Sequence, residues 1–173
     1  MIQRSIMTII LVLLLFSSAV HAATPPDQLI RQTVERLIDV LTERKAELER
    51  DRPQLYELVS RVIVEHIAGD NIVKLVLAQH WRNASLDQRI RFTDEFEKIL
   101  IRTYASALFD YTGHEEMNFQ PLQLTGDERT AVVRTDVKLP GVQAFPVNYK
   151  FLRLESGEWK IFDVTIEGIS LVT

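Results

Sequence analysis

Few residues of this sequence are suited to moving a proton. Asp163 lies in an alternating stretch between Ile161 and Thr165. A buried aspartate beside a tyrosine can enolise or isomerise a small substrate, and Tyr104 and Tyr149 are the candidate partners. The competing role for Asp163 is a structural hydrogen bond, which the sequence favours. His66, His80 and His114 are scattered, without the spacing of a metal site. His66 falls on an apolar helix face and reads as a core histidine. Glu115 and Glu116 are neighbours, so their side chains diverge and form no catalytic dyad. The chain has no cysteine, which excludes thiol catalysis, thiolate zinc, iron–sulfur clusters and acylation at a cysteine. No nucleophile elbow, phosphate-binding loop, dinucleotide fingerprint or metalloprotease motif occurs.

The elements that must position these residues are bounded by composition. The chain has 173 residues, of which 46% are apolar and 25% charged. That is ordinary for a globular protein and suits one domain. Twenty Lys and Arg against 24 Asp and Glu give a net charge of −4, which argues against a nucleic-acid partner. Residues 1–22 read as a cleavable export signal. Arg4 supplies the positive start, Ile6 to Phe16 an apolar run, and Val20-His21-Ala22 a cleavage site. The run is shorter than the roughly 20 residues of a spanning helix. Cleavage would leave residues 23–173 as a single domain and, by removing one Arg and no acid, take the charge from −4 to −5. An exported domain of this size needs no disulfide, and the periplasm is its expected location.

Residues 27–111 carry helical periodicity. A first helix starts at Pro25-Pro26-Asp27 and buries Ile30, Val34, Leu37 and Leu41. The charged stretch 42–52 reads as a solvated helix end and turn. A second helix opens at Pro53, with Leu55, Val59, Val62 and His66 on one face and Gly69 as its C-cap. A short helix follows, presenting Ile72, Leu75, Val76 and Gln79 and ending near Trp81. Ser85 and Gln88 form a capping box. They start a long helix with Phe92, Phe96, Leu100, Tyr104, Leu108 and Tyr111 in one stripe, ended by Gly113. Arg91, Asp94, Glu95, Lys98 and Arg102 occupy its other face.

Residues 117–170 alternate instead. Ala131, Val133, Thr135, Val137 and Leu139 point one way, and Val147, Tyr149 and Phe151 form the next inward set. Pro140-Gly141 and Ser156-Gly157 are turns, and Trp159 and Ile161 open the last strand. Short connections imply antiparallel neighbours. The expected fold is α+β: N-terminal helices on a curved antiparallel sheet of four strands, over 117–124, 129–139, 145–155 and 158–167. Such a sheet and its helical cover form a cone with an apolar interior. A cone can hold a small enzyme, an isomerase or dehydratase using Asp163 and a tyrosine. It can equally be an interaction module with a filled core, or leave a cavity for an apolar ligand.

Two segments resemble a known family. One is Val76-Leu77-Ala78-Gln79-His80-Trp81-Arg82-Asn83-Ala84-Ser85-Leu86-Asp87-Gln88 with the periodic aromatic helix after it. The other is Gly157-Glu158-Trp159-Lys160-Ile161-Phe162-Asp163-Val164-Thr165-Ile166-Glu167-Gly168-Ile169-Ser170-Leu171-Val172. Both are similar to the MlaC, or toluene-tolerance, family of periplasmic phospholipid-binding proteins. Ala78 stands where that family often has Gly, and Ala68-Gly69-Asp70-Asn71-Ile72 replaces its aspartate–aromatic sequence. Family members usually continue past the position of Val172. The resemblance implies a monomeric shuttle without cofactor or catalysis, carrying phospholipid as cargo. It implies exchange with an outer-membrane lipoprotein complex and an inner-membrane ABC transporter bearing an MCE-domain ring, which maintains outer-membrane lipid asymmetry. A net charge near −5 would repel anionic membranes on average, which suits docking on protein partners.

The physics of such a carrier is undemanding in polar groups. Two acyl chains of roughly 15 methylenes, at about 0.8 kcal/mol each, represent on the order of 25 kcal/mol of burial. A pocket that approximates the bilayer can both accept and release them. The residues expected to line it are Phe92, Phe96, Leu100, Tyr104 and Leu108 from the helix. The sheet would add Val133, Val137, Val147, Tyr149, Phe151, Trp159, Ile161 and Val164. Arg82, Lys150 and Arg153 are candidates to meet a headgroup, and Trp81 is expected to buttress the helix junction.

Overall fold

The computed structural model describes residues 23–105, 116–124 and 126–172. The export signal, Leu108, Tyr111, Gly113, His114 and Glu115 lie outside the described residues. Among the described residues, four helices precede a sheet. Helix α1 runs Pro26–Leu48, α2 Arg52–Ile63, α3 Gly69–Leu77 and α4 Leu86–Tyr104. Short 3₁₀ turns, Val64–His66 and Ala78–Arg82, follow α2 and α3. The strands are β1 Glu116–Phe119, β2 Thr130–Lys138, β3 Phe145–Arg153, β4 Trp159–Ile166 and β5 Ile169–Ser170. They form one open sheet in sequence order, every neighbour antiparallel.

The α+β meander expected from the sequence is therefore present, with one strand more than the four expected. Strand β5 is only two residues long, too short for an alternating pattern. Its hairpin is legible after the fact in Glu167-Gly168, which take φ values of 51° and 84°, the double positive φ of a tight hairpin turn.

Helix α1 runs into the charged stretch to Leu48, so 42–52 holds the helix end and turn expected of it, but Leu48 is buried where the whole stretch was expected to be solvated. Arg44 breaks the helical backbone at φ −115° and ψ 15°, and its guanidinium binds Glu47 at 2.6 Å and Gln54 at 2.9 Å. The anchor is Leu48, fully buried in a cluster with Leu37, Leu41, Leu55, Leu58, Val59 and Val62. One apolar side chain among charges was enough to fold the last turn inward. Asp51 caps α2 through the Gln54 amide at 3.2 Å.

A second cluster joins helix to sheet. Leu29 and Ile30 of α1 pack on Ala131, Val133, Phe151 and Trp159. The inward alternation of β2 holds: Ala131, Val133 and Thr135 are buried while Arg134 is exposed. Gly69 corrects the sequence reading. It is the first residue of α3, not the C-cap of α2. The chain between them extends at Ile67 and bridges the free edge of β4 at Ile161, where the Ala68 amide donates to the Ile161 carbonyl at 2.8 Å. The buried face of α3 is Ile72 and Val73, whereas Leu75 is 47% exposed.

Candidate functional site

Helix α4 starts as its sequence requires. The Ser85 hydroxyl accepts from the Gln88 amide at 3.2 Å, and the Gln88 side chain accepts from the Ser85 amide at 2.9 Å. Its apolar stripe follows, yet no residue of α4 is fully buried. Phe92, Phe96 and Leu100 are half-buried and Tyr104 is 43% exposed. The stripe is incompletely covered because it borders a cavity.

That cavity has a volume of about 220 Å3. Val59 and Ile63 of α2 and Ile72 and Val73 of α3 form one side. Phe96, Leu100, Ile101 and Tyr104 of α4 form another, and Ile161, Asp163 and Val164 of β4 close it with Leu171 and Val172. Thr93 and Glu97 add the remaining polar side chains of α4. The lining is otherwise aliphatic and aromatic. Gly69 also borders the cavity, and a Cβ there would meet Glu97 Oε1 at 2.9 Å and the Thr93 methyl at 3.3 Å. A side chain there would have to displace the movable end of Glu97 and crowd Thr93, so glycine lets α3 and α4 approach closely at this point. Burial pushes the Glu97 carboxyl up from its ordinary range, and the negative charges of Asp94 and Asp70 add to the effect.

Asp163 is held rather than poised. Its carboxylate accepts from Lys150 Nζ at 2.8 Å and from the Ser170 hydroxyl at 2.7 Å. The Val172 amide donates to Ser170 Oγ at 3.1 Å, and the Leu171 amide to the Val164 carbonyl at 2.9 Å. Asp163 thus pins the segment that supplies Leu171 and Val172 to the cavity wall. The pairing of Asp163 with Tyr149 is corrected by the register. Asp163 opposes Lys150, while Tyr149 opposes Val164, and adjacent residues of a strand face opposite ways. Burial pushes the Tyr149 hydroxyl up to about 12 despite a hydrogen bond with Thr135, so it stays neutral. Tyr104 borders the same cavity as Asp163.

Of the residues expected to line a pocket, Phe96, Leu100, Tyr104, Ile161 and Val164 border this cavity. Phe92 stacks on Phe96 with ring centroids 5.9 Å apart and lines a neighbouring shallow cleft. Val133, Phe151 and Trp159 lie in the core beneath α1, with Tyr149 packed against them. Val147 is buried opposite Thr135, and Val137 pairs with Met117. Leu108 falls outside the described residues. The headgroup candidates do not converge. Lys150 binds Asp163, Arg153 donates to the Gly126 carbonyl at 2.7 Å, and Arg82 lies in a groove with Lys74 and Phe162. Trp81 does meet the helix junction: Arg89 stacks 4.2 Å from its ring and donates to its carbonyl at 2.7 Å. His66 is half-buried beside Glu65 at 3.6 Å, and among the described residues no cluster could hold a metal ion.

The sequence pattern described for the family as "MlaC protein" matches residues 31–173. The chain belongs to the MlaC family. Among its relatives is the intermembrane phospholipid transport system binding protein MlaC of Haemophilus influenzae, 23% identical over 97% of this chain and 79% of that protein. The toluene tolerance protein ttg2D of Pseudomonas putida is 25% identical over 87% of this chain and 69% of that one. Among solved structures, the phospholipid-binding protein from Ralstonia solanacearum, in complex with a phospholipid, superposes with a TM-score of 0.77. It is 22% identical and the match covers 86% of this chain and 82% of that one. The MlaC fold assignment thus rests on sequence and on architecture together. Sequence reasoning missed the α2 and α3 wall of the cavity. Val59 and Ile72 were visible as apolar periodic positions, but periodicity does not separate a cavity wall from a packed core.

Proposed function

We propose that this MlaC-family chain binds phospholipid and carries it as cargo, without catalysis and without a cofactor. The observation that carries the reading is the cavity between α2, α3, α4 and β4, whose lining is mostly aliphatic and aromatic, with Thr93, Glu97, Tyr104 and Asp163 its polar side chains. The Haemophilus relative, a phospholipid transport system binding protein, and the phospholipid complex of the Ralstonia protein support it. In this reading acyl chains enter beside Phe96, Leu100 and Ile161, and the exchange of water for apolar wall contributes about 0.8 kcal/mol per methylene. Asp163 does structural work by tying down the C-terminal wall. We place the protein in the periplasm as a monomeric shuttle, delivered by residues 1–22. Its partners would be an outer-membrane lipoprotein complex and an inner-membrane ABC transporter with an MCE-domain ring. The purpose would be maintenance of outer-membrane lipid asymmetry.

The test is native mass spectrometry of the full chain, exported by its own leader and recovered from a periplasm, with lipid extraction of the same sample. The expected result is a mass increment matching phospholipid, and phospholipid in the extract. A folded protein at its bare mass with a lipid-free extract would overturn the reading. Leader cleavage is read from the same spectrum.

A further inference from the structure

The stretch from Lys74 to Arg91 differs in charge from the rest of the chain. It holds Lys74, Arg82, Arg89 and Arg91 against one acid, Asp87, in a chain of net charge −4. Four positive charges against one leave an excess of three there, so the remainder carries −7. The stretch comprises the end of α3, the 3₁₀ turn and the start of α4, joined into one corner by Arg89, which stacks on Trp81 and donates to its carbonyl. Lys74, Arg82 and Arg91 are exposed. Among the described residues none of the three has an acidic partner within ion-pair distance. Asp94 and Glu95, which follow the stretch, share the single cation of Lys98 at 2.6 and 3.0 Å, which leaves one negative charge there, and Asp70 lies one turn before Lys74.

The same corner exposes aliphatic side chains. Leu75 is 47% exposed, Ile90 57% and Leu86 70%. We propose that this corner docks the protein on an anionic lipid surface. Lys74 and Arg82 share a groove with Leu75 and Trp81, and Arg91 lies in a neighbouring cleft, next in sequence to exposed Ile90. Cations beside exposed aliphatic side chains match the phosphate layer and the acyl boundary of a bilayer together. The negative remainder is repelled by the same surface, so the molecule arrives corner first and does not lie flat. A surface contact made by so few charges is weak and salt-sensitive, which lets a carrier leave. The inference draws its purpose from the phospholipid-binding reading, but docking is measured without cargo transfer.

The experiment is co-flotation of the full mature chain with vesicles. One set contains phosphatidylglycerol with phosphatidylethanolamine, the other phosphatidylcholine alone. Binding to the anionic vesicles at low salt, lost at high salt, is expected, with little binding to the neutral ones. Removing a cation near the surface weakens binding about fivefold, so the double variant Lys74→Glu with Arg91→Glu should lose about 25-fold or more. Leu86→Ser with Ile90→Ser should weaken it independently of salt. Lys45→Glu with Arg50→Glu, both exposed near the far end of α1, changes net charge equally and should leave binding within about twofold. Circular dichroism checks that each variant is folded. No binding to anionic vesicles, equal binding to both sets, or equal loss in the α1 control would overturn the proposal and leave the corner to a protein partner. Lipid extraction of the same samples reports on cargo separately. Variants that keep cargo but lose vesicle binding support docking, whereas a lipid-free protein that still binds anionic vesicles supports docking and counts against the cargo reading.

Discussion

At the scale of single residues, Ala78 carries the clearest cost. It sits at φ 45° and ψ −117°, a backbone region that glycine enters freely and alanine does not. A residue held there stores about 1–3 kcal/mol, while glycine's greater unfolded-state entropy returns about 0.5–1 kcal/mol of that. Ala78→Gly is therefore expected to stabilise by about 1 kcal/mol, a rise in Tm of about 3 °C for a domain of this size, measurable by calorimetry. A Tm that falls would mean the backbone there is unstrained in solution. Glu97 is the second such residue. Burial and two neighbouring acids raise its folded pKa above the ordinary 4.5, so protonation favours the folded state. Its contribution is fully present below the unfolded value and is lost as pH rises through the folded one. Glu97→Gln should thus raise Tm at neutral pH and leave it nearly unchanged below about pH 4.5. A variant that gains equally at both pH values would assign the effect to packing, not charge. Neither position was read as strained or perturbed from sequence, because each depends on its neighbours in space.

At the scale of elements, what was legible depended on whether the signal was local. The capping box at Ser85 and Gln88, the prolines opening α1 and α2, and the alternation of β2 were read correctly, since each is written within a few neighbouring residues. Removing the cap tests this directly. Ser85→Ala leaves the Gln88 amide without its acceptor and should cost about 1 kcal/mol, seen as a lower urea midpoint at unchanged slope. An unchanged midpoint would mean that packing of α4, not its cap, holds its first turn. Signals that need a distant partner were misread. Leu48, in a stretch expected to be solvated, is buried because it packs in the cluster of Leu37 and Leu55. Gly69 serves a close approach to α4, which local chemistry cannot distinguish from a C-cap. The register shift between Lys150 and Phe151 leaves Phe162 without a partner across the strands. That bulge reverses the alternation of β4, which is why Asp163 and Tyr149 face opposite ways although simple alternation aligned Asp163 with Ile161.

At the scale of the whole molecule, the cavity and its proposed cargo differ in size. A methylene is about the size of a water molecule, and a water-sized group needs only about 10–15 Å3 of cavity volume of this kind. The cavity of about 220 Å3 therefore takes about one chain of roughly 15 methylenes and not the two of a phospholipid. If phospholipid is the cargo, α4 and the sheet must separate to admit it. The junctions that resist separation are few. The Ala68–Ile161 hydrogen bond ties the α2–α3 connection to β4 and the Asp163–Ser170 contact ties β5 to β4, so neither joins α4 to the sheet. The core of Leu29, Ile30, Val133 and Phe151 lies elsewhere, under α1, and can stay closed while the cavity opens. The absence of native cysteine makes this measurable with a single pair of labels. Spin labels at Lys98→Cys on the outer face of α4 and Arg134→Cys on the exposed face of β2 should move apart when delipidated protein is reloaded with phospholipid. The distance between α1 and β2, from labels at Gln32→Cys and Arg134→Cys, should stay constant. A fixed α4–β2 distance in protein that mass spectrometry finds loaded would place the acyl chains outside this cavity. Movement of both pairs would mean that the core under α1 opens as well.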